Sequence, residues 1–167
     1  MSETEENLEK AFAGESKARN KYTFFAEKAE KEGKPGIAKL FRAAAFAEKV
    51  HAGKHFQTME KIKTTAENLK AAAEGENYEH TEMYPDFLEK AKEEGEKQAA
   101  KWFDYAMQVE EKHENFYQEA MEALEEGEDL EEKDWYVCEV CGNTFEGEAP
   151  DQCPICGAPR SKFTKVQ

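Results

Sequence analysis

The sequence predicts a mainly α protein, an antiparallel four-helix bundle followed by a small C-terminal β-rich metal domain. Three observations carry that prediction. Residues 4–126 are long charged stretches with helical periodicity, broken at only three places. The acidic stretch Glu125–Asp134 reads as a linker, and all four cysteines fall between residues 138 and 156. Periodicity places helices at 4–32, 37–63, 66–94 and 96–126, separated by Gly33-Lys34-Pro35-Gly36, by Thr64-Thr65 and by Gly95, with Pro85 expected to kink the third. Short turns between long helices make neighbours antiparallel. The expected domains are 1–128 for the bundle, 129–134 for the linker and 135–167 for the metal domain, which opens on the strand signal Trp135-Tyr136-Val137.

The cysteines form two Cys-x-x-Cys pairs, Cys138 with Cys141 and Cys153 with Cys156. Each pair lets two sulfurs converge on one ion from a single turn, so the four together specify a tetrahedral thiolate site. Gly142 and Gly157 follow the second cysteine of each pair, where the backbone must bend its N–H groups toward sulfur. A disulfide within either pair would close too short a loop to add much. The spacing suits zinc or iron.

The helical part contains an internal repeat. A shift of 62 residues lays Glu27-Lys28-Ala29 and Gly33 on Glu89-Lys90-Ala91 and Gly95, Phe41 on Phe103, and Glu48-x-x-His51 on Glu110-x-x-His113. On the fourth helix Glu110 and His113 lie in the seam Ala99, Phe103, Ala106, Tyr117, Ala120; on the second, Glu48 and His51 lie in the seam Ile37, Phe41, Ala44, Met59, Ile62. Glu15 shares a stripe with Leu8, Phe12 and Tyr22. Carboxylates gathered in apolar seams lose several kcal/mol of solvation each unless a cation compensates, and these seams offer no lysine or arginine. Inward Glu residues with two Glu-x-x-His pairs are the bundle solution for two adjacent irons or manganeses. The third helix offers Glu76, Glu79 and Glu82. Glu79 and Glu82 lie one turn apart, and in a four-carboxylate, two-histidine site Glu82 is surplus. His55 and His80 read as a packed and a solvent-facing residue, and Trp135, Tyr136 and Phe163 as the core of the small domain.

A net charge of -14 and a pI near 4.8 argue against nucleic acid or an anionic membrane as partner. Mean hydropathy is -0.94, and the longest apolar run, Ala43–Ala47, is too short to span a bilayer. The N-terminus has neither the basic nor the apolar region of a secretory signal, so a reducing cytoplasm is expected.

Ala13-Gly-Glu15, Ala47-Glu48-Lys-Val-His51, Glu79-His-Thr-Glu82-Met-Tyr-Pro85, Glu110-Glu-Lys-His113 and the doubled Cys-x-x-Cys-Gly resemble the rubrerythrin family, in which a ferritin-like di-iron bundle is fused to a rubredoxin-like domain. The resemblance implies that Glu15, Glu48, His51, Glu79, Glu82, Glu110 and His113 bind two irons, with Glu48 and Glu110 bridging, and that Cys138, Cys141, Cys153 and Cys156 bind a single iron. It implies reduction of hydrogen peroxide to water in oxidative-stress defence. Electrons would come from a rubredoxin or an NAD(P)H-dependent reductase, and the subunits would pair in a head-to-tail dimer. Five glutamates oppose four positive charges on a diferrous pair and six on a diferric one. Oxidation therefore favours carboxylate over imidazole, and the expectation is that Glu82 replaces His51 on one iron and carries protons when released. With ligands at mid-helix, the linker is expected to emerge roughly 20 Å from the site, so electrons should pass between subunits. The alternatives are ferroxidase or iron storage, and a non-catalytic zinc ribbon beside a structural bundle.

Overall fold

The computed structural model describes residues 2–166, which fold as two compact units, one ending at Lys63 and one beginning at Thr64. Each helical hairpin makes its densest contacts internally, so the division falls inside the stretch that periodicity treats as one bundle.

The first unit is a hairpin of α1 (Glu3–Lys31) and α2 (Pro35–Thr58). Ser2 caps α1 with a reciprocal box. Its hydroxyl accepts from the Glu5 N–H, and the Glu5 carboxylate accepts from the Ser2 N–H. The chain reverses at Gly33, whose φ of +70° a side chain would strain. Pro35 opens α2 in the first turn, where a missing N–H costs nothing. The helices meet along Ala26, Ala29, Ala38, Ala45 and Ala52, small residues that let two backbones approach closely. α2 ends five residues earlier than periodicity suggests. The Thr58 hydroxyl bonds back to the Lys54 carbonyl and Glu60 adopts a φ of +54°, so Ile62 lies beyond the helix and is exposed.

The second unit holds α3 (Thr65–Tyr78), a π-helical turn (Glu79–Met83), α4 (Tyr84–Glu93) and α5 (Lys97–Glu125), followed by the small domain. Thr64 and Glu67 repeat the capping box, and Gly95, at φ +77°, repeats the Gly33 turn. Where a kink at Pro85 was expected, the helix instead widens by one turn of π-helix, in which the Tyr84 N–H reaches back five residues to the Glu79 carbonyl. Proline cannot donate and its ring crowds the carbonyl four residues before it; the wider turn relieves both.

Three short strands, β1 (Trp135–Cys138), β2 (Thr144–Glu146) and β3 (Phe163–Lys165), form an antiparallel sheet in the order β2-β1-β3. Tyr136 pairs with Phe145, and Cys138 with Phe163. Cys138, Cys153 and Ala158 are buried, with Ile155 and Phe163 packed on them. Trp135 departs from its expected place in that core. It stands edge-on to Phe116 of α5, ring centroids 4.9 Å apart, and so docks the small domain against the helix. No helix among the described residues is long and apolar enough to cross a membrane.

Candidate metal centres

Cys138 and Cys156 place their sulfurs 3.6 Å apart, as do Cys141 and Cys153, and all four lie within 4.8 Å of one another. Disulfide sulfurs lie about 2.05 Å apart, so these are not disulfides. A tetrahedron with metal–sulfur bonds of about 2.3 Å has edges of roughly 3.8 Å. The cage therefore fits one such ion. The two hairpins are copies: the Gly142 N–H bonds the Cys138 carbonyl and the Gly157 N–H bonds the Cys153 carbonyl, both at 2.9 Å, with both glycines at positive φ. Burial opposes ionisation of Cys141 and Cys156 and pushes both upward. At Cys153 the same burial is outweighed by the backbone N–H groups of Cys156 and Ile155 and by the Asn143 amide, which bring the thiol down to about 6.

Each helical unit carries one triad of carboxylates and imidazole. In the first, Glu15 of α1 faces Glu48 and His51 of α2; in the second, Glu76 of α3 faces Glu110 and His113 of α5. The geometries match. His51 Nδ1 lies 2.9 Å from Glu48 and 3.9 Å from Glu15, and His113 Nδ1 lies 2.8 Å from Glu110 and 3.8 Å from Glu76. The six side chains present mixed oxygen and nitrogen donors in two equivalent sets, a donor chemistry that suits a pair of irons.

Glu76 was outside the expected ligand set, and the structure puts it in the position that corresponds to Glu15. Glu82 departs in the opposite sense. It is exposed and lies in neither triad. Glu79, on the π-helical turn, is half-buried, and its carboxyl is pushed up by burial and then by the Glu110 charge, with His113 opposing. Burial and the Glu110 carboxylate also raise Glu76, to about 7.

A signal for Glu76 exists in the sequence. Glu6-Asn7-Leu8 and Gly14-Glu15 fall on Glu67-Asn68-Leu69 and Gly75-Glu76 at a shift of 61, while Tyr22 and Phe25 fall on Tyr84 and Phe87 at a shift of 62. The slip of one residue coincides with the π-helical turn, where the helix accommodates one more residue than α1 does over the same span. Below that turn both units build the same aromatic cluster. Tyr22, Phe25 and Phe41 have centroid separations of 6.3, 6.2 and 5.6 Å, and so do Tyr84, Phe87 and Phe103.

The two imidazoles differ in their outer contacts. His113 Nε2 lies 2.9 Å from the Thr144 hydroxyl of β2, and its side chain is 27% exposed, against 56% for His51. The small domain thus touches its own chain's triad, although α5 runs on to Glu125 before the linker begins, so the chain folds back along the helix after leaving it. Lys112 adds a second contact, donating to Asn143 Oδ1 at 3.0 Å and to the Thr144 carbonyl at 2.7 Å. His80 is also not solvent-facing. Its Nε2 pairs with Glu114, the two side chains being 16% and 14% exposed, and that bond holds Glu114 below the usual carboxylate range.

The comparisons with known proteins agree with this geometry. The rubrerythrin family model matches residues 6–121, and the model of the rubrerythrin rubredoxin-like domain matches residues 136–164. The chain belongs to the rubrerythrin family. It is 43% identical to a rubrerythrin of Porphyromonas gingivalis across 99% of this chain and 91% of that one, and 35% identical to rubrerythrin-2 of Clostridium acetobutylicum across 96% and 95%. A solved structure of nigerythrin in a mixed-valence state matches with a TM-score of 0.58 at 34% identity, covering 99% of this chain and 88% of that one. Family membership and the donor sets together give the rubrerythrin cofactors: a carboxylate and histidine di-iron centre and a single iron held by Cys138, Cys141, Cys153 and Cys156.

Proposed function

We propose that this rubrerythrin-family chain is a hydrogen peroxide reductase, with residues 1–128 supplying the di-iron ligands and residues 135–167 the electron inlet. The observation that carries the reading is the Thr144 hydroxyl 2.9 Å from His113 Nε2. A four-thiolate domain laid against a triad imidazole suits delivery of single electrons, and iron storage has no need of that inlet. When bound, the irons supply the two electrons that cleave the O–O bond of peroxide.

The side chains divide the remaining work. Glu15, Glu48 and His51 would hold iron in the first unit, and Glu76, Glu110 and His113 would hold it in the second. Glu79, rather than Glu82, is the surplus carboxylate; it lies one turn from Glu76 and within the field of Glu110 and His113. Glu79 would serve as the exchangeable carboxylate and His51 as the exchangeable imidazole, because a more positive, oxidised centre favours an anionic donor over a neutral one. His51 is the imidazole free to move, being the more exposed and lacking the contact that fixes His113. A released Glu79 carboxyl is raised toward the range where it can carry a proton to the departing oxygen.

Hydrogen peroxide, a rubredoxin or NAD(P)H-dependent reductase as donor, a reducing cytoplasm and a homodimer complete the reading. The dimer is supported by the large apolar side chains that the chain leaves uncovered, among them Phe24, Leu40 and Phe46, each more than 60% exposed. Because the inlet touches its own chain's triad, electron entry does not require the head-to-tail pairing that the sequence suggested.

The test is to reduce the iron-loaded protein without oxygen and mix it with hydrogen peroxide in a stopped flow. Peroxide reduction predicts rapid reoxidation with one peroxide consumed per two electrons. Reaction faster with dioxygen, with accumulation of ferric mineral, would make the chain a ferroxidase. A colourless four-cysteine site that holds only zinc would leave it without an inlet.

A further inference from the structure

We propose that Lys112 is a positioning residue for electron entry, whose fixed charge holds up the reduction potential of the four-cysteine iron. The inference rests on the reading of that cage as an iron site.

Lys112 belongs to α5, yet its amine is spent on the small domain. It donates to Asn143 Oδ1 at 3.0 Å and to the Thr144 carbonyl at 2.7 Å, and it lies 3.8 Å from the centroid of the Phe145 ring. Asn143 is 1% exposed, and its amide donates to Cys153 Sγ at 3.7 Å. One ammonium group thus polarises the amide that bonds directly to a ligand sulfur, and chained hydrogen bonds of this kind strengthen one another. The neighbouring side chain is His113. The residue that tunes the thiolate cage is therefore adjacent to the imidazole on the receiving side.

The sign follows from charge. Four thiolates around ferric iron carry a net charge of one minus, and the same cage with one more electron carries two minus. A nearby cation stabilises the second state more, so it raises the potential and favours reduction of the cage by its donor. A half-buried ammonium is poorly screened by salt, so the effect persists at moderate ionic strength. Lys112 is not among the proposed ligands, and its alkyl stem could be matched by methionine without opening a void.

The experiment is a spectroelectrochemical titration of the red ferric absorption in full-length, iron-loaded protein, with Lys112→Met, Lys112→Arg and Lys112→Glu compared to wild type. Lys112→Met should lower the reduction equilibrium about tenfold, which for one electron is about 59 mV. Lys112→Arg should stay close to wild type, and Lys112→Glu should fall below Lys112→Met. A potential graded with charge is not what a docking contact alone produces. Equal potentials in all four proteins, or the same fall in Arg as in Met, would overturn the proposal. A preparation with no red ferric site would instead count against the iron reading on which it rests.

Discussion

The two helical hairpins are one design written twice, with one residue more between ligand and aromatic cluster in the second. Both carry a Glu-x-x-His pair opposite a glutamate, both begin on a capping box and turn on a glycine at positive φ, and both close on the same three aromatic rings. Glu15 stands seven residues before Tyr22, whereas Glu76 stands eight before Tyr84, and the extra residue is absorbed by the π-helical turn Glu79–Met83. The symmetric part supplies matched ligands for two metals. The asymmetric turn sets one further half-buried carboxylate, Glu79, on the second hairpin alone. The same comparison separates the imidazoles, His113 tied to Thr144 and His51 more open.

The largest effects should come from breaking what the hairpins share. Glu48→Ala and Glu110→Ala each remove a central carboxylate, and each should cut bound iron below two per chain and lower peroxide turnover by roughly a hundredfold or more, since even outer-shell changes cost 10–100-fold. Iron analysis and steady-state assays check this. Two irons and normal turnover in either variant would break the equivalence of the triads.

The asymmetry is broken at Glu79. Glu79→Ala should retain two irons yet lose about tenfold or more in turnover, the size expected for a lost acid–base group. Deleting Glu79 outright should regularise the helix and restore the seven-residue spacing of α1, with the same kinetic loss and native helix content by circular dichroism. Glu82→Ala should behave as wild type. If the Glu82 variant loses turnover and the Glu79 variant does not, the assignment is reversed.

Thr144→Val removes the hydroxyl that orients His113 and should weaken metal binding about tenfold, the lower end for outer-shell partners of metal-binding histidines. Competitive metal titration reads it. An unchanged affinity would show that the two imidazoles are held alike.

The smallest effect is on stability. In metal-free protein Glu76 is raised from 4.5 to about 7 by burial and the Glu110 charge. The folded state then binds more protons than the unfolded one between those values, so its stability is full below pH 4.5 and falls as pH rises through 7. Glu76→Gln should flatten that fall, raising Tm by roughly 3 °C at pH 8 for about 1 kcal/mol. Scanning calorimetry of the apo-protein at pH 5 and 8 checks it, and identical pH dependence in the variant would contradict it.

Most of this was legible in the chain. Helix content, the glycine turns, the cysteine cage and five of the six triad residues follow from periodicity and spacing, because each is a local rule. Glu76 was missed because a repeat scored at one fixed shift cannot register a one-residue slip, and the π-helical turn is that slip. The early end of α2 was missed because Glu60 takes a left-handed φ that its side chain does not advertise. The docking of the small domain was also invisible. It depends on Trp135 meeting Phe116 and on Lys112 meeting Asn143, contacts between residues 19 and 31 apart with no periodic signature.

On the proposed reading, the extra residue of the π-helical turn makes Glu79 the exchangeable donor of an otherwise symmetric centre. Crystal structures of the iron-loaded protein in its oxidised and chemically reduced states test it most directly. Glu79 should be at the metal with His51 withdrawn in the oxidised state, the reverse should hold in the reduced state, and His113 should stay bonded to Thr144 in both. The same ligands around both irons in the two states, or Glu82 in the place assigned to Glu79, would contradict it.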